Sequence, residues 1–248
     1  MKNDIAKEKL FLCIDTSTKV ASVALASSLD GNDINIIYNV FINDGLTHSE
    51  KLIPLINQSL EACDLKVSDI DVFACINGPG SFTGLRIGIS TANALAQSTG
   101  KDIIGITSLE TLAFTFNYFD GLIIPMIDAR RDNVFTAVFD GKTDFINVLQ
   151  DDIMTIDEVI DSLKDTDRSL VFAGCGSLKA KDRVKMIFGD RAKFANGLFN
   201  NVNAAIGAEL ALKKYYSDDY VECKVLLPNY VKGTSAKTIA ERDIQAKK

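Results

Sequence analysis

This sequence predicts an α/β fold in two lobes, on three observations. Three strand-like runs open the chain, strands and helices then alternate around a glycine-rich turn, and a fresh pair of strand-like runs begins near residue 122. Its 248 residues, 47% hydrophobic and 24% charged, suffice for one large domain or for two lobes with a core each. Four Pro and sixteen Gly leave no low-complexity linker.

The elements follow in order. Leu10 to Ile14 is an apolar run closed by Asp15-Thr16-Ser17-Thr18, and Val20 to Ala26 resumes with alternation, which predicts a hairpin. Ile34 to Ile42 supplies a third strand after the turn Asp30-Gly31-Asn32-Asp33. A helix comes next, with Thr47 and Glu50 spaced as a capping box and Leu52, Leu55, Ile56 and Leu60 at helical spacing. Val72 to Ile76 is a strand, Leu85 to Gln97 a helix, and Ile103 to Ile106 another strand. The second half opens with strands at Leu122 to Ile127 and Val134 to Phe139. It continues with a helix at Ile156 to Leu163, a strand at Leu170 to Ala173, and helices at Leu178 to Phe188 and Val202 to Tyr216. The polar segment Lys232 to Lys248 reads as a tail that orders only through a partner.

Charge and cysteine usage exclude several classes. A net charge of −6 argues against broad binding of a phosphate backbone, so RNA is expected to be held by a partner. Lys179, Lys181, Arg183 and Lys185 form the one local basic row that offers an RNA contact. The five cysteines are scattered, odd in number and never spaced as C-x-x-C, as expected of buried thiols in a reducing cytoplasm. No apolar run approaches the ~20 residues that span a bilayer, and the charged N-terminus has no secretory pattern.

Chemistry concentrates at Gly78-Pro79-Gly80-Ser81-Phe82-Thr83-Gly84-Leu85-Arg86-Ile87-Gly88, a turn between strand and helix. Free N–H groups and the dipole of a helix N-terminus attract an anion there. Equally, the glycines admit a tight crossing, with Pro79 fixing the turn and Thr83 as N-cap. The loop lacks the Lys-Ser/Thr ending of a Walker A sequence and the dinucleotide spacing, so packing is the stronger of the two readings. Asp15 and Asp128 each end an apolar strand; they hold magnesium through water beside a nucleotide or cap turns. Arg86 and Arg130 are candidates for carboxylate or phosphate contacts, against helix-surface salt bridges. His48 is the single histidine, which rules out any paired-histidine metal site. Its helix is apolar on more than one side, because Leu52, Leu55 and Ile56 are not expected to share one core stripe.

Four segments together resemble one family. Leu12-Cys13-Ile14-Asp15-Thr16-Ser17-Thr18, Thr47-His48-Ser49-Glu50 with Leu52-Ile53-Pro54-Leu55-Ile56, the glycine loop, and Ile127-Asp128-Ala129-Arg130-Arg131 are similar to the bacterial TsaB (YeaZ) family, once grouped with glycoproteases. Pro228-Asn229-Tyr230-Val231 fits more loosely. The resemblance covers roughly the first half of the chain.

The resemblance implies a two-lobed actin, Hsp70 and sugar-kinase-like (ASKHA) fold, each lobe a mixed sheet with flanking helices. The lobes are expected at residues 1–107 and 108–231, with a tail at 232–248. It implies a cytoplasmic, non-catalytic subunit that binds and activates TsaD, which transfers a threonylcarbamoyl group to N6 of adenosine 37 in ANN-decoding tRNAs. A TsaE-type ATPase joins that complex, tRNA is met through it, and the chain pairs with itself when alone. TsaD carries a histidine pair for a metal where this chain has Ser108, whose hydroxyl is a poor ligand for such a metal, and Leu112, which has no donor, so the histidine clamp cannot form. No cofactor is required, although ATP or ADP with Mg at a subunit boundary is left open, with Asp15, Gly78, Gly80, Ser81, Thr83, Arg86, Asp128 and Arg130 as its residues.

The implied partner face comprises His48, Leu52, Leu55, Ile56, Gly84, Leu85, Gly88, Ile89 and Ala92, with the glycines allowing close helix packing. On that view Gly88→Leu blocks the heterodimer and spares the fold. The competing reading is an ATP-dependent phosphotransferase or hydrolase of the same superfamily. A single histidine makes peptidase activity improbable.

Overall fold

The computed structural model describes residues 8–43, 48–142, 145–217 and 222–231. The expected cap at Thr47 and the tail at 232–248 lie outside them. The described chain forms two compact units, one of residues 1–111 with 202–229 and one of residues 112–201 with 230–248.

In the first unit a five-stranded mixed sheet is ordered β3-β2-β1-β4-β5, from β1 (Lys9–Asp15), β2 (Ala21–Ser28), β3 (Asn35–Ile42), β4 (Val72–Gly78) and β5 (Asp102–Thr107). The hairpin partners β1, β2 and β3 run antiparallel. The crossovers to β4 and β5 each contain a helix and give parallel pairs, as a strand that must return to the same sheet end requires. These helices are α1 (His48–Ala62) and α2 (Phe82–Thr99). Alternate residues Leu12, Ile14, Val23, Leu25, Phe73 and Cys75 form one core with Leu52, Leu55, Ile56 and Leu60 of α1 and Leu85, Ile89, Ala92 and Ala96 of α2. Leu52, Leu55 and Ile56 therefore do share one buried face, contrary to the sequence expectation. Positions i, i+3 and i+4 span little more than one turn, and a broad sheet accepts that whole arc.

The opposite face of the sheet is covered by a helix from far along the chain. The chain leaves the first unit through α3 (Ser108–Phe114), and α6 (Ala204–Tyr215) later brings it back onto β1 and β2. Phe11 meets Tyr215 edge-on at 5.4 Å, and the Ser22 hydroxyl accepts from Ala204 N–H at 2.9 Å. The lobe boundary differs from the expected one: α6, expected in the second lobe, belongs to the first unit. Residues 222–229 follow it as an extended strap. The Ile103 N–H donates to Cys223 O, the Asn93 amide bonds Leu226 N–H and C=O at 2.8 and 3.0 Å, and the Asn229 N–H donates to Asn77 O.

The second unit repeats the plan with the sheet β10-β9-β6-β7-β8. Its strands are β6 (Leu122–Asp128), β7 (Asn133–Asp140), β8 (Ile146–Thr155), β9 (Leu170–Ala173) and β10 (Ala192–Phe194). Helices α4 (Ile156–Leu163) and α5 (Cys175–Phe188) cover its core, where Ile124, Met126, Val138 and Phe172 meet Val159, Leu163, Ala180 and Val184. Thr155 and Glu158 form a reciprocal capping box on α4. The basic row on α5 is half committed, since Lys179 pairs with Asp128 and Arg183 with Asp132 and Asp157.

Inward and outward positions on α1 make a direct test. Leu52→Ala is expected to lower unfolding free energy by about 2–5 kcal/mol. Its half-exposed neighbour changed as Ile53→Ser is expected to stay within roughly 1 kcal/mol. Urea unfolding of both variants checks the assignment.

Candidate functional site

The glycine loop is a clasp. Ser81, not Thr83, caps α2, its hydroxyl accepting from Gly84 N–H at 3.2 Å, because the helix starts at Phe82, three residues before the Leu85 that its apolar spacing suggested. The turn after β1 lies directly against the loop: Ser81 N–H donates to Ser17 O at 2.7 Å, and the Thr16 hydroxyl donates to Gly84 O at 2.7 Å. A Cβ at Gly80 would stand 2.1 Å from Ser17 O, one at Gly84 2.1 Å from Thr16 O, and one at Gly88 2.4 Å from Thr16 Oγ1. Only hydrogen fits at these positions. Gly78 differs, since its φ of +118° suits glycine, and Asn229 O of the strap presses on it.

His48 adds the last closure. Its Nε2 lies 2.8 Å from Thr18 O, and a carbonyl only accepts, so Nε2 carries the proton and donates. Asp15 sits beneath, fully buried, with Oδ1 accepting from Ser17 N–H at 2.8 Å. Its Oδ2 and the Ser17 hydroxyl have no hydrogen-bond partner among the described residues. Burial pushes the Asp15 carboxyl up to about 6, against the opposing pull of the Ser17 side chain and N–H and of His48.

In the second unit Asp128 Oδ1 accepts from Arg130 N–H at 2.9 Å and from Lys179 Nζ at 2.6 Å, a turn cap joined to an ion pair. Arg130 is exposed in a left-handed conformation. The expected anion residues thus divide between the two units, with Asp15, Gly78, Gly80, Ser81, Thr83 and Arg86 in the first and Asp128 and Arg130 in the second. Ser108 is buried and donates to Pro79 O, and Leu112 is buried beside Gly174. Among the described residues no three His, Cys, Asp or Glu side chains gather as a metal site.

The expected partner face needs correction. Leu52, Leu55, Ile56, Gly84, Leu85, Gly88, Ile89 and Ala92 are all buried within the chain, and Gly88→Leu would drive its side chain into Thr16. Gly84 and Gly88 permit a close approach, but to the chain's own turn. The outer side of the same two helices carries a different set: Ser49, Phe82, Thr83, Arg86, Ile87, Ser90 and Thr91 line an open groove of about 530 Å³. Beside it on α1, Ile53 is 49% exposed, and Phe82 is 55% exposed. Sequence reasoning missed Ile53 and Phe82 because apolar residues were assigned to the core by spacing. The usable signal was that Ile53 falls off the row Leu52, Leu55, Ile56.

Comparisons with known proteins agree with this architecture. A family model described as TsaD: tRNA N6-adenosine threonylcarbamoyltransferase matches residues 44–237. The Bacillus subtilis tRNA threonylcarbamoyladenosine biosynthesis protein TsaB is 30% identical over 222 residues, covering 89% of this chain and 93% of that protein. The chain belongs to the TsaB family. The Escherichia coli TsaB is 34% identical over 130 residues, 52% of this chain and 54% of its own length. Among solved structures, YeaZ from Pseudomonas aeruginosa has the same fold, with a TM-score of 0.70 at 22% identity over 90% of this chain and all of that one. Of the segments that carry the resemblance, the turn after β1, His48 and the glycine loop meet in the clasp, whereas Ile127-Asp128-Ala129-Arg130-Arg131 lies in the second unit. No helix among the described residues is long and apolar enough to cross a membrane.

Two expectations follow from the clasp. Gly84→Ala must displace Thr16 O and is expected to cost about 1–3 kcal/mol in urea unfolding despite its better helix propensity. Asp15 binds a proton more tightly folded than unfolded, so its contribution is full below about pH 4 and is lost as pH rises through about 6. Asp15→Asn is therefore expected to gain on the parent protein by up to about 3 kcal/mol between pH 4 and pH 7.5. Paired unfolding curves at the two pH values measure that difference.

Proposed function

We propose that this chain is the non-catalytic subunit that binds and activates a TsaD-type threonylcarbamoyltransferase acting on N6 of adenosine 37 in ANN-decoding tRNAs. The observation that carries the reading is the outer face of α1 and α2. It is an open groove with the exposed apolar side chains Ile53 and Phe82 beside small hydroxyl residues, which suits helix-on-helix docking. Family membership supports the pathway, since the relatives are named for threonylcarbamoyladenosine biosynthesis. The buried Ser108 and Leu112 support a role without metal chemistry.

The partner therefore packs on the outward residues of α1 and α2 and not on Leu52, Leu85 or Gly88. The same face serves self-pairing in the partner's absence, and a TsaE-type ATPase and tRNA are met through the assembled complex. The kinase-like reading asks the glycine loop to receive phosphate. Gly80 and Gly84 receive Ser17 O and Thr16 O instead, which favours the subunit reading.

Reconstitution tests it: this chain, TsaD, TsaE, threonylcarbamoyl-adenylate and tRNA are expected to yield modified tRNA, and omission of this chain to abolish it. Modification by this chain without TsaD would overturn the proposal. Ile53→Arg is expected to cut both co-elution with TsaD and tRNA modification at least about ten-fold while melting like the parent protein.

A further inference from the structure

We infer that Arg86 selects the partner on this face by receiving a carboxylate from an acidic side chain that the partner's docked helix presents to the groove. The inference rests on the partner-subunit reading and adds the chemistry of recognition to it. Arg86 is the single charge among the seven residues lining the groove. It has no ion pair among the described residues, unlike Arg168 and Arg183, which hold acids; of the unpaired arginines it is the one that lines the groove.

Its guanidinium lies 3.9 Å from the centre of the Phe82 ring. A ring at that distance engages the guanidinium through its π face and uses none of its N–H donors, which can then grip a carboxylate through two parallel hydrogen bonds. Phe82 thus props an arginine that would otherwise lose several rotamers on binding. A helix laid over the groove removes water from Arg86. Without an anion opposite, the desolvated charge opposes docking; with one, it becomes a central anchor ringed by Ile87, Ser90 and Thr91.

Self-pairing meets the opposite circumstance. A second copy brings a groove whose only charge is again an arginine, so the same residue that favours an acidic partner disfavours a twin. Arg86 is in this sense a positioning and specificity residue of the interface, and the two associations respond to it with opposite sign.

The experiment measures Kd for TsaD and, separately, the self-association constant, for the full chain and for Arg86→Lys, Arg86→Gln and Arg86→Glu, with melting temperature as the fold control. Arg86→Gln is expected to weaken TsaD binding about ten-fold or more, Arg86→Glu further, and Arg86→Lys least. Arg86→Gln is expected to strengthen self-association, and added NaCl to weaken the parent complex more than the Arg86→Gln complex. The inference falls if Arg86→Gln and Arg86→Glu bind TsaD like the parent while Ile53→Arg does not, which leaves the face intact and Arg86 idle. If Ile53→Arg also binds normally, the partner-face reading itself fails.

Discussion

The carbonyl oxygens of Thr16 and Ser17 reach into places where α2 and its leading loop have no side chains. That approach, about two ångströms from where a Cβ would stand, sets the position of α2 on the sheet. The Ser81 N–H and the Thr16 hydroxyl then fasten it from both directions. Because the helix is held by backbone contacts at one end and by Leu85, Ile89, Ala92 and Ala96 along its length, its outward residues are presented on a rigid support. Rigid presentation matters for recognition, since a preorganised surface loses less freedom when a partner docks.

Within that clasp the polar groups are unevenly satisfied. His48, Thr16 and Ser81 each find a carbonyl, but Asp15 keeps one buried oxygen without a hydrogen-bond partner among the described residues. A buried carboxylate so placed is a local liability for stability, and such a conflict between residue and environment is what binding or catalytic positions often carry. Here the surrounding glycines and hydroxyls fold inward onto the chain. The polar residues at this end serve the arrangement of the helices, and the outer helical face is the one proposed above for recognition.

Much of the first unit was legible because its signals are local. The hairpin of β1 and β2, the third strand and the strand-to-helix turn at the glycine loop all follow from alternation, turn residues and helical spacing. The second sheet hid β8, whose middle is Gln150-Asp151-Asp152, because an edge strand half open to solvent tolerates polar residues that break alternation. The three-residue β10 and the short α3 carry too little pattern to read. At the site, Gly84 and Gly88 announced a close approach but not to what. An i, i+4 pair of glycines looks alike whether a neighbouring protein or the chain's own turn fills it, and only the position of Thr16, 68 residues from Gly84 in sequence, decides. The face implied by the family resemblance consists almost wholly of residues buried in the chain's own core, since apolar residues at regular spacing define the core first.

The return of α6 to the first sheet has an implication for synthesis on the ribosome. Residues 112–201 form a contiguous body that can condense as soon as it emerges, whereas the body started by the first strands lacks a cover for Phe11 and its neighbours until α6, Ala204–Tyr215, appears. Its apolar underside stays wet throughout translation of the intervening ninety or so residues, a wait on the order of ten seconds at typical elongation speeds. The sheet of the second unit can therefore assemble before the first sheet is covered on both faces, and a nascent chain halted ahead of α6 exposes the kind of surface that chaperones hold.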